Sequence, residues 1–409
     1  MIGVMLVGLN GAVANTVITG IHSNSDKKDL GSIISTEYFK DIPFISEQEM
    51  IFSGWDVFYE NAFNRAKYHR IIPYEMYYES QNVLEKIYPL KGYVNIWDSD
   101  EAIDSDYSHK MWNFSNFMQV IDQIRKDIDN FRRAYKLDKV VLVYVALPLK
   151  NIKSLDQINH VDFQDLSKID PNYLPSSVAY VVASILEQCP FVDFTPNLTL
   201  QLDFVERLAV ENGVPLAGMD GNTGQTLMKT LIAPMLKIRN FKLVGWYSTN
   251  ILGNNDGKIL SRPEHKQIKM EDKLSVLEPI LGYNDFEHVV DISYYKPRYD
   301  NKEAWDNIDF QGFLGLEMSF KINWLGRDSI LAAPLVIDLI KHMDIALKVK
   351  SKGIQQHLAI YFKHPLRSRF STNKVPLYKD KIVVSFFDSF KLLLEFYQNL
   401  QHNQKLLNI

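Results

Sequence analysis

Apolar positions fall into short unbroken runs in the first half of the chain, each followed by a stretch with helical spacing. Ile2–Gly8 is one such run, and Ala14–Ile21 continues from it with helical periodicity. Lys139–Ala146 is a second strand-like run, entered from the amphipathic stretch Met118–Tyr135. Val178–Glu187 reads as a buried helix, Phe191–Phe194 as a short strand, Leu202–Asn212 as an amphipathic helix and Val214–Gly218 as another short strand. Continuous rather than alternating apolar strands are buried on both faces. With helices between them they predict an α/β domain built on a parallel sheet.

After a predicted helix over Thr223–Lys237 the texture changes. Lys242–Thr249, Val289–Tyr295 and Glu317–Trp324 read as strands with few helices between them. Asp328–Val349 returns to a long apolar helix, Leu358–Phe362 resembles a strand, and Lys381–Leu400 a strand followed by a helix. The simplest architecture is a first domain over residues 1–240, completed by 330–409 and interrupted by a smaller sheet-rich domain over 241–329. An insertion of about 90 residues is within the range of small domains.

Composition narrows the function classes. With 45 basic and 49 acidic residues the chain lacks the basic excess of a generic nucleic-acid binder. Cys189 is the only cysteine, so no intramolecular disulfide forms, and its place after an apolar run predicts a buried structural thiol. Ala12-Val13-Ala14 imitates a signal-peptidase site, but no basic residue precedes the apolar stretch, and a buried first strand explains the same letters. No apolar run reaches the roughly 18 residues of a membrane span. A soluble, cytoplasmic protein with neither membrane nor nucleic-acid partner is expected.

Three polar segments carry candidate chemistry. Gly8-Leu9-Asn10-Gly11-Ala12-Val13-Ala14 links a strand to a helix, which fits either a dinucleotide pyrophosphate or an ordinary turn. No clear second strand ends in the acid that a dinucleotide fingerprint places about 20 residues on. Ala217–Thr226 also joins a strand to a helix and carries Asp220 among exposed amides, with Thr223 as a candidate cap. Asn250–Gly257 is rich in amides, carboxylate and glycine, followed by Ser261 and by Lys269 and Lys273 four residues apart, on one face if helical. Turns and a solvated face account for each segment taken singly.

Together with Ser53-Gly54-Trp55-Asp56, Ala183–Glu187, Tyr294-Tyr295-Lys296-Pro297 and Gly326–Leu335, these segments resemble the myo-inositol 1-phosphate synthase family, in order through nearly the whole chain. The resemblance implies a Rossmann-like NAD-binding domain with a parallel sheet, interrupted by a smaller α+β sheet domain used for catalysis and oligomerisation. It also implies a homotetramer serving inositol and phospholipid biosynthesis. The implied reaction isomerises glucose 6-phosphate to inositol 3-phosphate by C5 oxidation, enolisation, intramolecular aldol closure and re-reduction.

By the same resemblance Lys269, Lys273, Lys296, Lys363, Asp220 and Asp328 form the catalytic set, with Lys269 moving a proton near C5. Lys273 and Lys296 face the phosphate or the oxyanions. Gly8, Asn10 and Gly11 form the pyrophosphate turn, Asp56 meets the ribose, and Ala146, Thr195, Asp220, Asn254, Asn255 and Asp256 complete the cofactor shell. No His/Cys cluster has metal-ligand spacing, so a monovalent or divalent cation would sit on oxygens such as Asp220 or Asp256. Two segments depart from the family. The first turn has Asn10-Gly11-Ala12-Val13-Ala14 for Gly-Gly-Asn-Asn-Gly, and the central strand ends Ala146-Leu147-Pro148-Leu149-Lys150 for Ala-Asn-Thr-Glu-Arg. A synthase of another cyclitol phosphate, a sugar-phosphate dehydrogenase and a non-catalytic binding protein remain as alternatives.

Overall fold

A computed structural model describes residues 1–98, 100–103, 107, 114–149, 158–254, 276–370, 375, 377–378, 381–382 and 385–402. Its larger sheet uses β1 (Ile2–Val7), β2 (Met50–Asp56), β3 (Leu90–Lys91), β4 (Lys139–Tyr144), β5 (Phe191–Asp193), β6 (Pro215–Gly218) and β11 (Gly353–Ile354). The order is β11-β6-β5-β4-β1-β2-β3, and every pairing is parallel. All six residues of β1 are buried, as a central strand covered on both faces requires.

One face is covered by α2 (Phe117–Tyr135), α3 (Ser176–Leu186) and α4 (Asp203–Asn212). The other is covered by α1 (Ala12–His22), α6 (Asp328–Lys348) and α7 (Phe386–His402). The strand order turns outward in both directions from β1 and β4, and the crevice at such a switch point lies at the strands' carboxyl ends.

A four-stranded sheet has the order β10-β9-β7-β8, from β7 (Lys242–Leu252), β8 (Glu287–Tyr294), β9 (Asn301–Gln311) and β10 (Glu317–Arg327). β7 and β8 run parallel; β9 runs antiparallel to β7 and β10. Helix α5 (Gln225–Ile238) joins the two sheets in sequence. It buries Ala233 and Leu236 in the second sheet's core, against Leu243, Trp246, Ile308 and Phe310.

Three features differ from the sequence expectation. Leu358–Phe362 is not a strand: Gln356–Tyr361 is a 3-10 helix, and the strand is Gly353–Ile354 just before it. All five residues from Leu358 to Phe362 are buried, so the run carries no periodicity that separates helix from strand. β2 exists and ends on Asp56, so the acid after the second strand is present; a long connection delays it. β9 passes unseen because its buried face reads Ala304, Asp306, Ile308, Phe310, with a carboxylate in the middle. Cys189 is buried as expected, and burial pushes its thiol up to about 12. Among the described residues no helix is long and apolar enough to cross a membrane.

Candidate functional site

The carboxyl ends of β1, β2, β4, β5 and β6 carry most of the described candidates. At β1 the chain turns at Gly8, whose φ of +93° favours glycine; a Cβ there would lie 2.8 Å from Ala146 Cα. The Gly8 and Leu9 amides both donate to Trp55 O, at 2.9 and 3.0 Å. Gly11 is the N-cap of α1 with no side-chain cap, and no acidic residue occupies the helix's first turn. Unfilled amides at a helix N-terminus favour an anion.

Asn10 is buried. Its backbone amide donates to Asp56 Oδ2 at 2.8 Å and its Nδ2 to the carbonyls of Phe58 and Glu60, while its Oδ1 has no hydrogen-bond partner. Asp56 also accepts from Phe58 N at 3.0 Å. Burial raises its pKa above the usual carboxylate value, against these amides and Arg65, which pull it down. The turn thus keeps a carboxylate beside β1, a close backbone approach and a bare helix end, and these fit a dinucleotide. Thr195 Oγ1 donates to Ala146 O at 3.0 Å, tying the end of β5 to that of β4 along the same edge.

A second group gathers past β6. Asp220 has φ +62° and is held on both sides by backbone. Gly221 N donates to Phe194 O at 3.0 Å, and the strap after the 3-10 helix pairs with residues 218–222 through Asn222 N to Tyr361 O and Lys363 N to Asp220 O. This strap delivers Lys363, whose Nζ donates to Asp220 Oδ1 at 2.7 Å. Lys363 therefore reaches the site from more than 140 residues away in sequence.

Asp328 opens α6. Its Oδ1 accepts from Thr223 Oγ1 at 3.1 Å and lies 3.5 Å from Lys302 Nζ. Burial pushes this carboxyl up, but Lys302 and Lys363 beside it, with Thr223, prevail and hold it below its ordinary value. Thr223 is therefore not the helix cap it was expected to be. The N-cap of α5 is Gly224, with no side-chain cap and no acidic residue in the first turn, and a Cβ at Gly224 would sit 3.1 Å from Lys302 Nζ. The geometry places two ammonium groups, two carboxylates and an open helix end in one crevice. That set can bind a phosphate and steady a developing oxyanion.

Lys302 was not among the sequence candidates, because the strand that carries it was not recognised. Lys296 was, and lies exposed in the turn Lys296–Arg298 after β8, outside the contacts just described. Asn254 is half-buried directly past β7. Asn255, Asp256, Lys269 and Lys273 lie outside the described residues. Among the described residues no group of three His, Cys, Asp or Glu side chains is placed to hold a metal.

Comparison with known proteins points one way. The family model described as Myo-inositol-1-phosphate synthase matches residues 2–382. The chain is 35% identical over 389 residues to inositol-3-phosphate synthase 1 of Bacteroides thetaiotaomicron, covering 89% of each, and 28% identical to the Brassica napus inositol-3-phosphate synthase, covering 92% of this chain and 80% of the other. The fold is similar to that of inositol-3-phosphate synthase from Caenorhabditis elegans, with a TM-score of 0.84 at 23% identity over 98% of this chain and 85% of that one.

Proposed function

This chain belongs to the myo-inositol-1-phosphate synthase family, and from that premise we propose that it converts D-glucose 6-phosphate to 1D-myo-inositol 3-phosphate with a bound NAD. The observation that carries the proposal is the crevice itself. Lys302 and Lys363, each beside a carboxylate, stand by the uncapped N-terminus of α5 at the carboxyl end of a parallel sheet. When bound, NAD supplies a reversible oxidation at C5, so that the C6 protons become acidic and no net redox change remains. Gly8, Asn10, Gly11 and Asp56 would hold its pyrophosphate and ribose, and Ala146, Thr195, Asp220 and Asn254 would line its other end.

The substrate phosphate is proposed to sit on the amides of Gly224–Thr226, with Lys302 as its counter-ion. Lys363 stands where it can steady an oxyanion, and Asp220 holds its ammonium in place by a charge-assisted hydrogen bond. Thr223 and Asp328 form a polar wall joining the two lysines. Lys269 is proposed to move a proton near C5, Lys273 to face the phosphate or the oxyanions, and Lys296 to take a lesser part at the rim. A monovalent or divalent cation would rest on oxygens of Asp220 and Asp256 with the phosphate.

We also propose a cytoplasmic homotetramer in which residues 241–329 form the assembling domain and residues 1–240 with 330–409 the NAD domain. β10 supports this: it is an edge strand with Met318, Phe320 and Leu325 exposed, beside exposed Phe313 and Leu316.

The test is to incubate purified protein with glucose 6-phosphate and NAD in separate sodium, potassium, ammonium and magnesium buffers and follow phosphorus NMR. An inositol monophosphate resonance without accumulating NADH is expected. Stoichiometric NADH would establish the dehydrogenase alternative, and no turnover in any buffer would remove the proposal.

A further inference from the structure

One set of buried polar groups touches none of the crevice's reacting positions, yet it joins three elements directly behind it. Asp306, in the middle of β9, is only 2% exposed. Its Oδ1 accepts three hydrogen bonds: from Gln225 Nε2 at 2.9 Å, Trp246 Nε1 at 2.6 Å and Ser248 Oγ at 2.7 Å. Gln225 is the first residue of α5 and is itself buried; its Oε1 accepts from Asn250 Nδ2 at 2.5 Å. One carboxylate and one amide therefore fasten the first turn of α5 to β7 and β9 together.

The strand register shows what this fastening controls. Side chains two apart on a strand share a face, so Asp306, Ala304 and Lys302 line one side of β9. Opposite them on β7 stand Ser248, Asn250 and Leu252, cross-strand partners of Asp306, Ala304 and Lys302 in that order. Lys302 thus leaves the same strand face as the Asp306 hub, about 13 Å further along at about 3.3 Å per residue. The residue that Asp306 holds, Gln225, is the middle one of the three whose amides form Gly224–Thr226. One turn later Lys229 is buried as well, with its Nζ 2.6 Å from His288 Nε2 and 5.7 Å from the centre of the Trp246 ring. Asp306 is the carboxylate whose field reaches that lysine. Burying a carboxylate is costly unless charge and hydrogen bonds compensate it. Here three donors meet Oδ1 and Lys229 lies within the carboxylate's field, while the buried Oδ2 has no hydrogen-bond partner.

We propose that Asp306 is a positioning residue that sets the distance between the helix-end amides of α5 and Lys302, and so determines how tightly the site holds the substrate's phosphate. The proposal rests on the reading of Gly224–Thr226 and Lys302 as the phosphate cradle. Asp306 acts only through Gln225 and the strand face, so its loss should weaken binding of the phosphorylated sugar far more than it slows the chemistry, and should leave the dinucleotide end untouched.

The test uses the full-length protein with NAD and compares wild type with Asp306→Ala, Asp306→Asn, Gln225→Met and the double variant Asp306→Ala/Gln225→Met. KM for glucose 6-phosphate and kcat are measured by product formation, and NAD affinity by fluorescence titration. Expected for Asp306→Ala is a KM raised at least tenfold, kcat within about threefold and NAD affinity unchanged. Asp306→Asn, which keeps an acceptor oxygen, should recover part of the loss. Gln225→Met should match Asp306→Ala, and the double variant should add little to either, as expected for residues in one chain of contacts.

An unchanged KM in folded Asp306→Ala would overturn the proposal, and so would a raised KM accompanied by comparable losses of kcat and NAD affinity, which marks a general loss of structure. If Asp306→Ala does not fold, Gln225→Met decides, since it leaves Asp306 with Trp246 and Ser248: a raised KM supports the link and a wild-type KM removes it. Absence of inositol phosphate from the wild-type protein would instead refute the underlying function.

Discussion

On the proposed reading, the two ends of the crevice grip by different means. At the end formed by β1 and β2, contact is made by backbone: a positive-φ glycine, two amides on Trp55 O, a bare helix end and one buried carboxylate that holds the turn. At the end formed by β6, α5, β9 and α6, it is made by charged side chains: Lys302, Lys363, Asp220 and Asp328. A backbone grip depends on conformation and tolerates exchange of most side chains, whereas a charge grip depends on chemical identity. The contrast gives the departures in the first turn a physical reading. Asn10 and Ala14 replace family glycines, but the turn still brings its amides and Gly8 to the sheet edge.

The largest effect should come from the charged end. Lys302→Ala removes a cation from the cradle and from Asp328, and should lower kcat/KM by about 10²–10³-fold. NAD affinity should stay within about threefold; a comparable loss of NAD binding would erase the contrast.

The next largest should come from Gly8→Val, which places carbon 2.8 Å from Ala146 Cα at a φ that side chains avoid. Strain of about 1–3 kcal/mol should weaken NAD binding by roughly tenfold to a hundredfold. Wild-type affinity in this variant would mean that the dinucleotide does not approach the turn.

A third prediction concerns the region behind the charged end. Burial lowers Lys229 to about 7 from an ordinary 10.5, although Asp306 draws it back up. Between those values the unfolded chain binds more protons than the folded one, so stability should rise with pH across that window. Below about pH 7 both states carry the proton and the slope vanishes. Urea midpoints taken from about pH 7 to about pH 9 should climb in the wild type and flatten in Lys229→Met, and parallel profiles would show that Lys229 is not the titrating group.

The smallest effect should be that of Lys296→Ala, because its side chain lies exposed outside the cluster. A change of less than about threefold in kcat/KM is expected; a hundredfold loss would move the charged end of the site outward.

Much of the fold was legible because a parallel sheet writes itself as continuous apolar runs, as in Ile2–Val7 and Lys139–Tyr144. What stayed hidden has physical causes. β2 alternates with Ser53 and Gly54 and follows a connection of nearly thirty residues, so it does not advertise a Rossmann second strand. β9 buries Asp306 where an apolar residue would have completed the period, and Lys302 was lost with it. Asp220 and Asp328 were found by motif, but nothing local indicates that Thr223 turns away from its helix to meet Asp328. The pairing of Lys363 with Asp220 depends on a strap closing on β6, and long-range closure leaves no trace in local spacing.

That strap has a consequence for synthesis on the ribosome. Everything up to α6 can emerge with the dinucleotide turn, α5 and Lys302 in place, yet β6 then still lacks its neighbour β11, and Asp220 lacks its lysine. Both arrive together, within residues 353–363, so closing the sheet edge and arming the site are a single late event. On the proposed roles, a nascent or prematurely ended chain would be inert toward the sugar phosphate, and β6 would be left as an open strand edge of the kind that invites aggregation and cellular disposal.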